Sequence, residues 1–378
     1  MMVGLASKDY KADFCLPERG SYLLNHSVGR PLKSAQQAFQ DCFFTPWQSG
    51  STEPWQQWLT NIHAFQTALG QLFNHAAENF CPQTNLSSGL TKLVMSHPRL
   101  TKPKAKVLMS EQDFPSMGFA LRHALPECEI SFIPKDLDIT SFDVWNEFLT
   151  EDVDLVFISQ VYSNSGQQAP VQAVVAKAKQ VGVLSLIDVA QSAGIIALDL
   201  TQVDPDFMLG SSVKWLCSGP GAAYLWVNPK QIDNCQPKDV GWFSHDNPFE
   251  FDIHHFKYHK TALRFWGGTP SIAPFVMAAH SIQYANQIPR GLVREHNLKL
   301  LALLAASFKE QLISPTKADK CSGTAILQFG EAQDMVLDAL KKAHIGVDVR
   351  HLGIRVSPHI YNNESDIAQL IEVISKML

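Results

Sequence analysis

The chain lacks the marks of a disulfide-stapled or zinc-bound protein. Its seven cysteines (Cys15, Cys42, Cys81, Cys128, Cys217, Cys235, Cys321) are scattered, and no two form a Cys-x-x-Cys pair. It lacks an excess of positive charge as well: 31 Lys+Arg stand against 36 Asp+Glu, a formal net charge of −5. No basic face is on offer to nucleic acid or an anionic membrane. No apolar run reaches membrane-spanning length, because Ser271–Ile282 and Leu298–Phe308 are short or broken by Pro274, His280 and polar residues. The opening MMVGLASKDYKADFC has neither a basic n-region nor an apolar h-region, so no signal peptide is expected. What is there is 378 residues, 46% hydrophobic and 18% charged, enough apolar material for a sizeable core in two lobes or one large α/β unit. The expectation is a soluble cytoplasmic protein.

Short apolar runs alternate with segments of helical periodicity. Strands are expected at Val107–Ser110, Ile130–Ile133, Leu155–Ser159, Leu184–Asp188, Phe207–Gly210 and Ala222–Val227. Helical patterns fall between them at Met117–Ala124, Ser141–Leu149 and Val171–Val181, and upstream at Trp55–Phe73. Runs such as LVFIS and LSLID are nearly continuous in apolar residues, as strands covered on both faces require. The alternation implies an α/β fold with a mostly parallel sheet and helices on both faces, over about residues 21–284. Beyond about residue 285 the pattern changes: a long helix at Leu292–Ile313, a strand at Ala325–Phe329, a helix, short strands at Val347–Val349 and Ile354–Val356, and a closing helix. That reads as a smaller α+β domain over 285–378, with residues 1–20 packing nearby.

Parallel α/β sheets bind ligands at the carboxyl ends of their strands, so polar residues there are the first candidates for chemistry. Leu184–Asp188 ends in an acid, and Phe207–Gly210 runs into SSVKWLCSGPG, which places Lys214 just past a strand end. Taken singly, Asp188 reads as a helix N-cap and Lys214 as a solvated loop lysine. Taken together with the Gly219-Pro220-Gly221 turn, they point to one shared crevice. CPQTNLSSGLTKLV opens a helix after a polar turn, a natural anion site at which Ser87 could equally be a plain N-cap. His255 and His259 have the i, i+4 spacing a metal could use on a helix, but no acidic ligand set completes a site, and a segment lining a subunit interface is the better reading.

Three blocks carry a family resemblance: DVAQSAG at 188–194, SSVKWLCSGPGAAYLWV at 211–227 and GVDVRHLGIRVSPHIYNNESDI at 346–367. From about Tyr22 to the C-terminus the chain resembles the class V branch of fold-type-I enzymes that use pyridoxal 5′-phosphate (PLP). GWFSH at 241–245 and DFPSMGFAL at 113–121 are similar to the kynureninase members. The resemblance implies that Lys214 forms a Schiff base with the cofactor aldehyde and afterwards moves protons. It implies that Asp188 pairs with the pyridine nitrogen, keeping the ring an electron sink, and that Gln191 reaches the 3′ oxygen. Phosphate contacts would come from the Leu86 backbone N–H and the Ser87 hydroxyl, with Ser88, Ser211 and Ser212 as further candidates. Phe114 would stack on the cofactor ring; alone it reads as core. Arg355 would grip the α-carboxylate of a small amino-acid substrate, where the alternative is a surface arginine on an edge strand; Arg350 would support the lobe. Ser27 matches a position near the cofactor. Trp242 and Thr269 match positions that reach the phosphate from a neighbouring subunit, implying a homodimer with a shared active site.

The chain also departs from kynureninase. Met117 stands where those enzymes have aspartate, Gln191 where they have histidine, and Val213 where they have tyrosine. Gln191 instead matches the desulfurases, yet VRHLGIRVS has no room for their cysteine-bearing loop, and Cys321 lies well upstream. Three readings stand: a kynureninase-like hydrolase or lyase, a class V aminotransferase, and a non-catalytic PLP-fold binding protein.

Overall fold

A computed structural model describes residues 9–378; of the segment 1–20, residues 1–8 lie outside the described part. Seven strands build the main sheet: β1 (Phe80–Gln83), β2 (Lys106–Ser110), β3 (Glu129–Ile133), β4 (Leu155–Ser159), β5 (Leu184–Asp188), β6 (Phe207–Ser211) and β7 (Ala223–Val227). Their order is β1-β7-β6-β5-β4-β2-β3, with β7 antiparallel to both neighbours and the other pairs parallel. β4 and β5 are buried at every position, as their unbroken apolar sequences require. Helices cover both faces, and two separate apolar clusters result. One packs Phe65, Leu69 and Phe73 of the helix Trp55–Phe73 with Phe275 and Ile282 of the helix Ala273–Gln287. The other packs Leu90 and Leu93 of the helix Leu86–Val94 with Leu121 of the helix Pro115–Ala124.

A third cluster forms around a three-stranded antiparallel sheet of β8 (Ala325–Leu327), β9 (Asp348–Arg350) and β10 (Gly353–Val356), with β10 in the centre. The main sheet is mostly parallel with helices on both faces, an α/β architecture as the sequence implied. Three details differ from the sequence expectation. β1 was not anticipated, because FCPQ carries a proline and is too short to show periodicity. The helix Ala273–Gln287 runs past residue 284. The helix expected to reach Ile313 stops at Ser307, because the chain must turn to bring Leu312 against Leu327 and the Ile313 N–H onto the Ile326 carbonyl. Among the described residues, no helix is long and apolar enough to cross a membrane.

Candidate active site

A cavity of about 230 Å³ opens at the carboxyl ends of β4, β5 and β6. Leu86, Ser87, Phe114, Asp188, Gln191, Ser211 and Lys214 all line it, together with Ser116, Met117, Ser159, Tyr162, Ser163 and Val213. Strand register explains much of the grouping, since Ser159 pairs with Asp188 and Asp188 with Leu209 across neighbouring strands. Asp188 Oδ1 accepts the Ala190 N–H at 2.8 Å, which fixes the carboxylate just beyond the strand. Burial raises its pKa, against the Ala190 hydrogen bond and the Lys214 charge.

Lys214 is held from behind. The Gly29 N–H donates to the Val213 carbonyl at 2.8 Å, and a Cβ on Gly29 would stand 2.1 Å from the Lys214 carbonyl oxygen. Only glycine permits that approach. Although Lys214 keeps some surface at the cavity wall, desolvation dominates and lowers its pKa to about 8. The Asp188 charge opposes the shift, while Arg355 and Arg350 add to it. A sizeable fraction of the amine is thus neutral near physiological pH, the form that attacks an aldehyde.

Above the lysine, Arg355 is 2% exposed on the central strand β10, so it is not a surface arginine on an edge strand. It does not itself line the cavity; its Nη1 donates to the carbonyl of Ser163, which does. Its Nε donates to Asp348 Oδ1 at 2.8 Å and its Nη2 to Asp348 Oδ2. Asp348 faces it as the cross-strand partner in register. Burial alone would raise the Asp348 pKa, but hydrogen bonds from His26 and Arg355 hold it well below the usual carboxylate range. His26 Nε2 lies 2.9 Å from Asp348 Oδ1, and burial pushes the ring down to about 4, leaving it neutral.

Some expected residues lie elsewhere. Ser212 is fully buried and its hydroxyl donates to the Ala222 carbonyl at 2.7 Å, so it does not face the cavity. Ser27 is exposed and outside it; its neighbour His26 reaches the site instead, with its carbonyl accepting the Gln191 side-chain N–H at 3.2 Å. Trp242 Nε1 donates to Thr269 Oγ1 at 3.3 Å, and neither residue lines this chain's cavity. His255 and His259 are not on a helix: His255 pairs with Asp252 and His259 Nδ1 meets Thr261. Among the described residues no cluster of three or more His, Cys, Asp or Glu could hold a metal.

Residues 84–370 match the class-V aminotransferase family. The chain belongs to that family. It is similar to kynureninase of Deinococcus radiodurans, 24% identical over 97% of this chain and 92% of that protein. Its fold is similar to a cysteine desulfurase from Thermococcus onnurineus solved in the apo form, with a TM-score of 0.88 at 18% identity, covering 100% of this chain and 99% of that one. A second structure, a lysine-to-alanine variant of C-DES with glycine covalently linked to its PLP cofactor, matches with a TM-score of 0.85 at 16% identity over 95% of this chain and 97% of that one.

PLP fits this cavity. A desolvated lysine stands beside a buried carboxylate, and the nine-residue helix Leu86–Val94 turns its N-terminus to the cavity. The Asn85 side chain satisfies only the Ser88 N–H there, so the first-turn amides of Leu86 and Ser87 remain for a phosphate.

Tyr162, which lines the cavity, and Asp113, which sits behind the lining against Ser159, were not anticipated. Asp113 is buried, its Oδ2 accepts the Ser110 N–H at 2.7 Å, and burial pushes its pKa up to about 7, with the Asp188 charge acting in the same direction. A carboxyl whose folded pKa is raised favours folding while protonated, and that advantage fades as pH rises from the ordinary value towards about 7. The apoprotein of Asp113→Asn should therefore gain on the wild type by ~2–3 kcal/mol between pH 5 and pH 8. Chemical denaturation at the two pH values checks this, and a constant difference would rule it out.

Proposed function

We propose that this chain is a PLP-dependent enzyme of small amino acids, with Lys214 as covalent anchor and proton carrier. The observation carrying this is the placement of a desolvated lysine and a buried aspartate, Asp188, on one cavity wall facing a helix N-terminus. When bound, PLP supplies an electron sink that weakens bonds to the substrate's α-carbon. Asp188 holds a proton at the ring nitrogen by a charge-assisted hydrogen bond. Gln191 stands beside Asp188 for the 3′ oxygen, Phe114 offers its ring face, and Ser87 and Ser211 offer hydroxyls to the phosphate. Arg355, oriented by Asp348, retains N–H donors for the substrate α-carboxylate.

The lining favours amine transfer over carbon–carbon hydrolysis. Hydrolysis of a γ-keto side chain needs an acid or base at that carbonyl besides the lysine; Met117, Val213 and Gln191, at the positions where the chain departs from kynureninase, cannot act as one, and the Tyr162 hydroxyl in the lining is made a weaker acid by burial. Amine transfer needs only one mobile proton carrier at the α-carbon, which Lys214 is. Kynureninase-like hydrolysis is the second reading, favoured by the relative in Deinococcus radiodurans. Purified protein with PLP and an amino acid should consume the amino acid catalytically only when an α-keto acid acceptor is added. Release of alanine from a γ-keto amino acid without acceptor would give the reaction to the hydrolase reading.

A homodimer completes the site in this proposal. Phe249 and Phe251 pack against Trp242 and stay exposed, an apolar patch in a segment that also exposes Val240, Phe256 and Ile253, the last 92% exposed. A second copy covering that patch would bring Trp242 and Thr269 towards its partner's phosphate.

A further inference from the structure

The two arginines above Lys214 are in unequal states. Arg355 is ion-paired, its Nε and one Nη2 N–H on Asp348 and one Nη1 N–H on the Ser163 carbonyl, which leaves one N–H on each Nη. Arg350 has no carboxylate within ion-pair distance among the described residues; its Nη1 meets only the neutral Asn164 Oδ1 at 3.3 Å. Its guanidinium lies 5.8 Å from the ring centroid of Phe114, which lines the cavity. It also shares a strand face with Asp348, two residues away, so both turn towards the side where Asp348 meets Arg355. Asp348 acts on Arg350 only at longer range and is already paired with Arg355, so resting partly buried without a carboxylate of its own costs free energy that a ligand carboxylate would recover.

We infer that Arg350 binds the side-chain carboxylate of a dicarboxylic amino acid, so that the site takes substrates of the glutamate or aspartate class. This rests on the PLP reading above. The α-carboxylate goes to Arg355, whose far edge still has donors. The distal carboxylate extends past Phe114 to Arg350 and Asn164. A planar fork suits it, and a neutral side chain would leave that guanidinium unpaired.

The test is a titration of the PLP-loaded protein with L-glutamate, L-aspartate and L-alanine, following the visible band of the lysine-linked cofactor. For the wild type, the half-saturating concentration of at least one dicarboxylic amino acid should be ~10–100-fold below that of L-alanine. Arg350→Met should bring that ratio close to one, and Arg350→Lys should restore part of it. If the wild type shows no preference, or the preference survives in Arg350→Met, the assignment is wrong and Arg350 only steadies Phe114. A protein that takes up no cofactor overturns the underlying reading instead, a result told apart by the missing band.

Discussion

Lys214→Met is expected to abolish turnover while leaving the apoprotein at least as stable as the wild type. The amine is the only group on the cavity wall that combines nucleophilicity with a pKa near the working pH; Asp188 is fixed by the Ala190 N–H, and the remaining lining is hydroxyl, amide or apolar. Loss of proton transfer alone costs ~10²–10⁴-fold in rate. Borohydride should fix PLP to Lys214 in the wild type and leave no label at that position in the variant. Stability should move the other way. Burial lowers the lysine from 10.5 to about 8, so the folded state disfavours the charged amine. That penalty is fully present below about pH 8 and fades as pH rises towards 10.5. Methionine fills similar space without charge, so the variant should gain up to about 3 kcal/mol near neutrality and nothing at high pH. A variant that melts far below the wild type at neutral pH would show that Lys214 is a structural residue.

What the sequence disclosed, and what it hid, follows from the range of the interactions. Strand-end logic needs only local pattern, and it reached Asp188 and Lys214 because LSLID and FMLGS are unambiguous buried strands. Ser211 and Ser212 were treated alike, because Ser211 ends β6 and Ser212 begins the turn beyond it, where local pattern does not say which of two adjacent serines meets the cavity. The structure puts Ser211 there and turns Ser212 to the Ala222 carbonyl. The clamp of Asp348 on Arg355 depends on hairpin register, which one sequence does not state. His26 is further still: it meets Asp348 across 322 positions of chain, and a histidine in NHSVGRP carries no local sign of that partner. Asp113 lay in plain view beside Phe114. Its burial, and with it its raised pKa, comes from folding the segment against the end of β4.

Asp188→Asn should separate chemistry from folding more sharply than any other conservative change here. Asparagine keeps the carbonyl-type oxygen that accepts the Ala190 N–H, so the turn after β5 survives. It also removes a carboxylate whose pKa burial already raises, so the apoprotein loses no stability near neutrality. What disappears is the negative charge that would keep a proton on the cofactor's ring nitrogen. Removing one charge-matched partner from a preorganised site typically costs ~10²–10³-fold in turnover. The same change acts on Lys214, because the Asp188 charge raises the lysine's pKa against desolvation. In the variant that pKa should fall further, and the pH profile for cofactor capture should shift to lower pH. Two readouts therefore bear on one residue: turnover of the loaded enzyme and the capture profile of the apoprotein. Near-normal turnover with PLP bound would remove Asp188 from the chemistry. An unmoved capture profile would mean that the two side chains do not sense each other across the cavity.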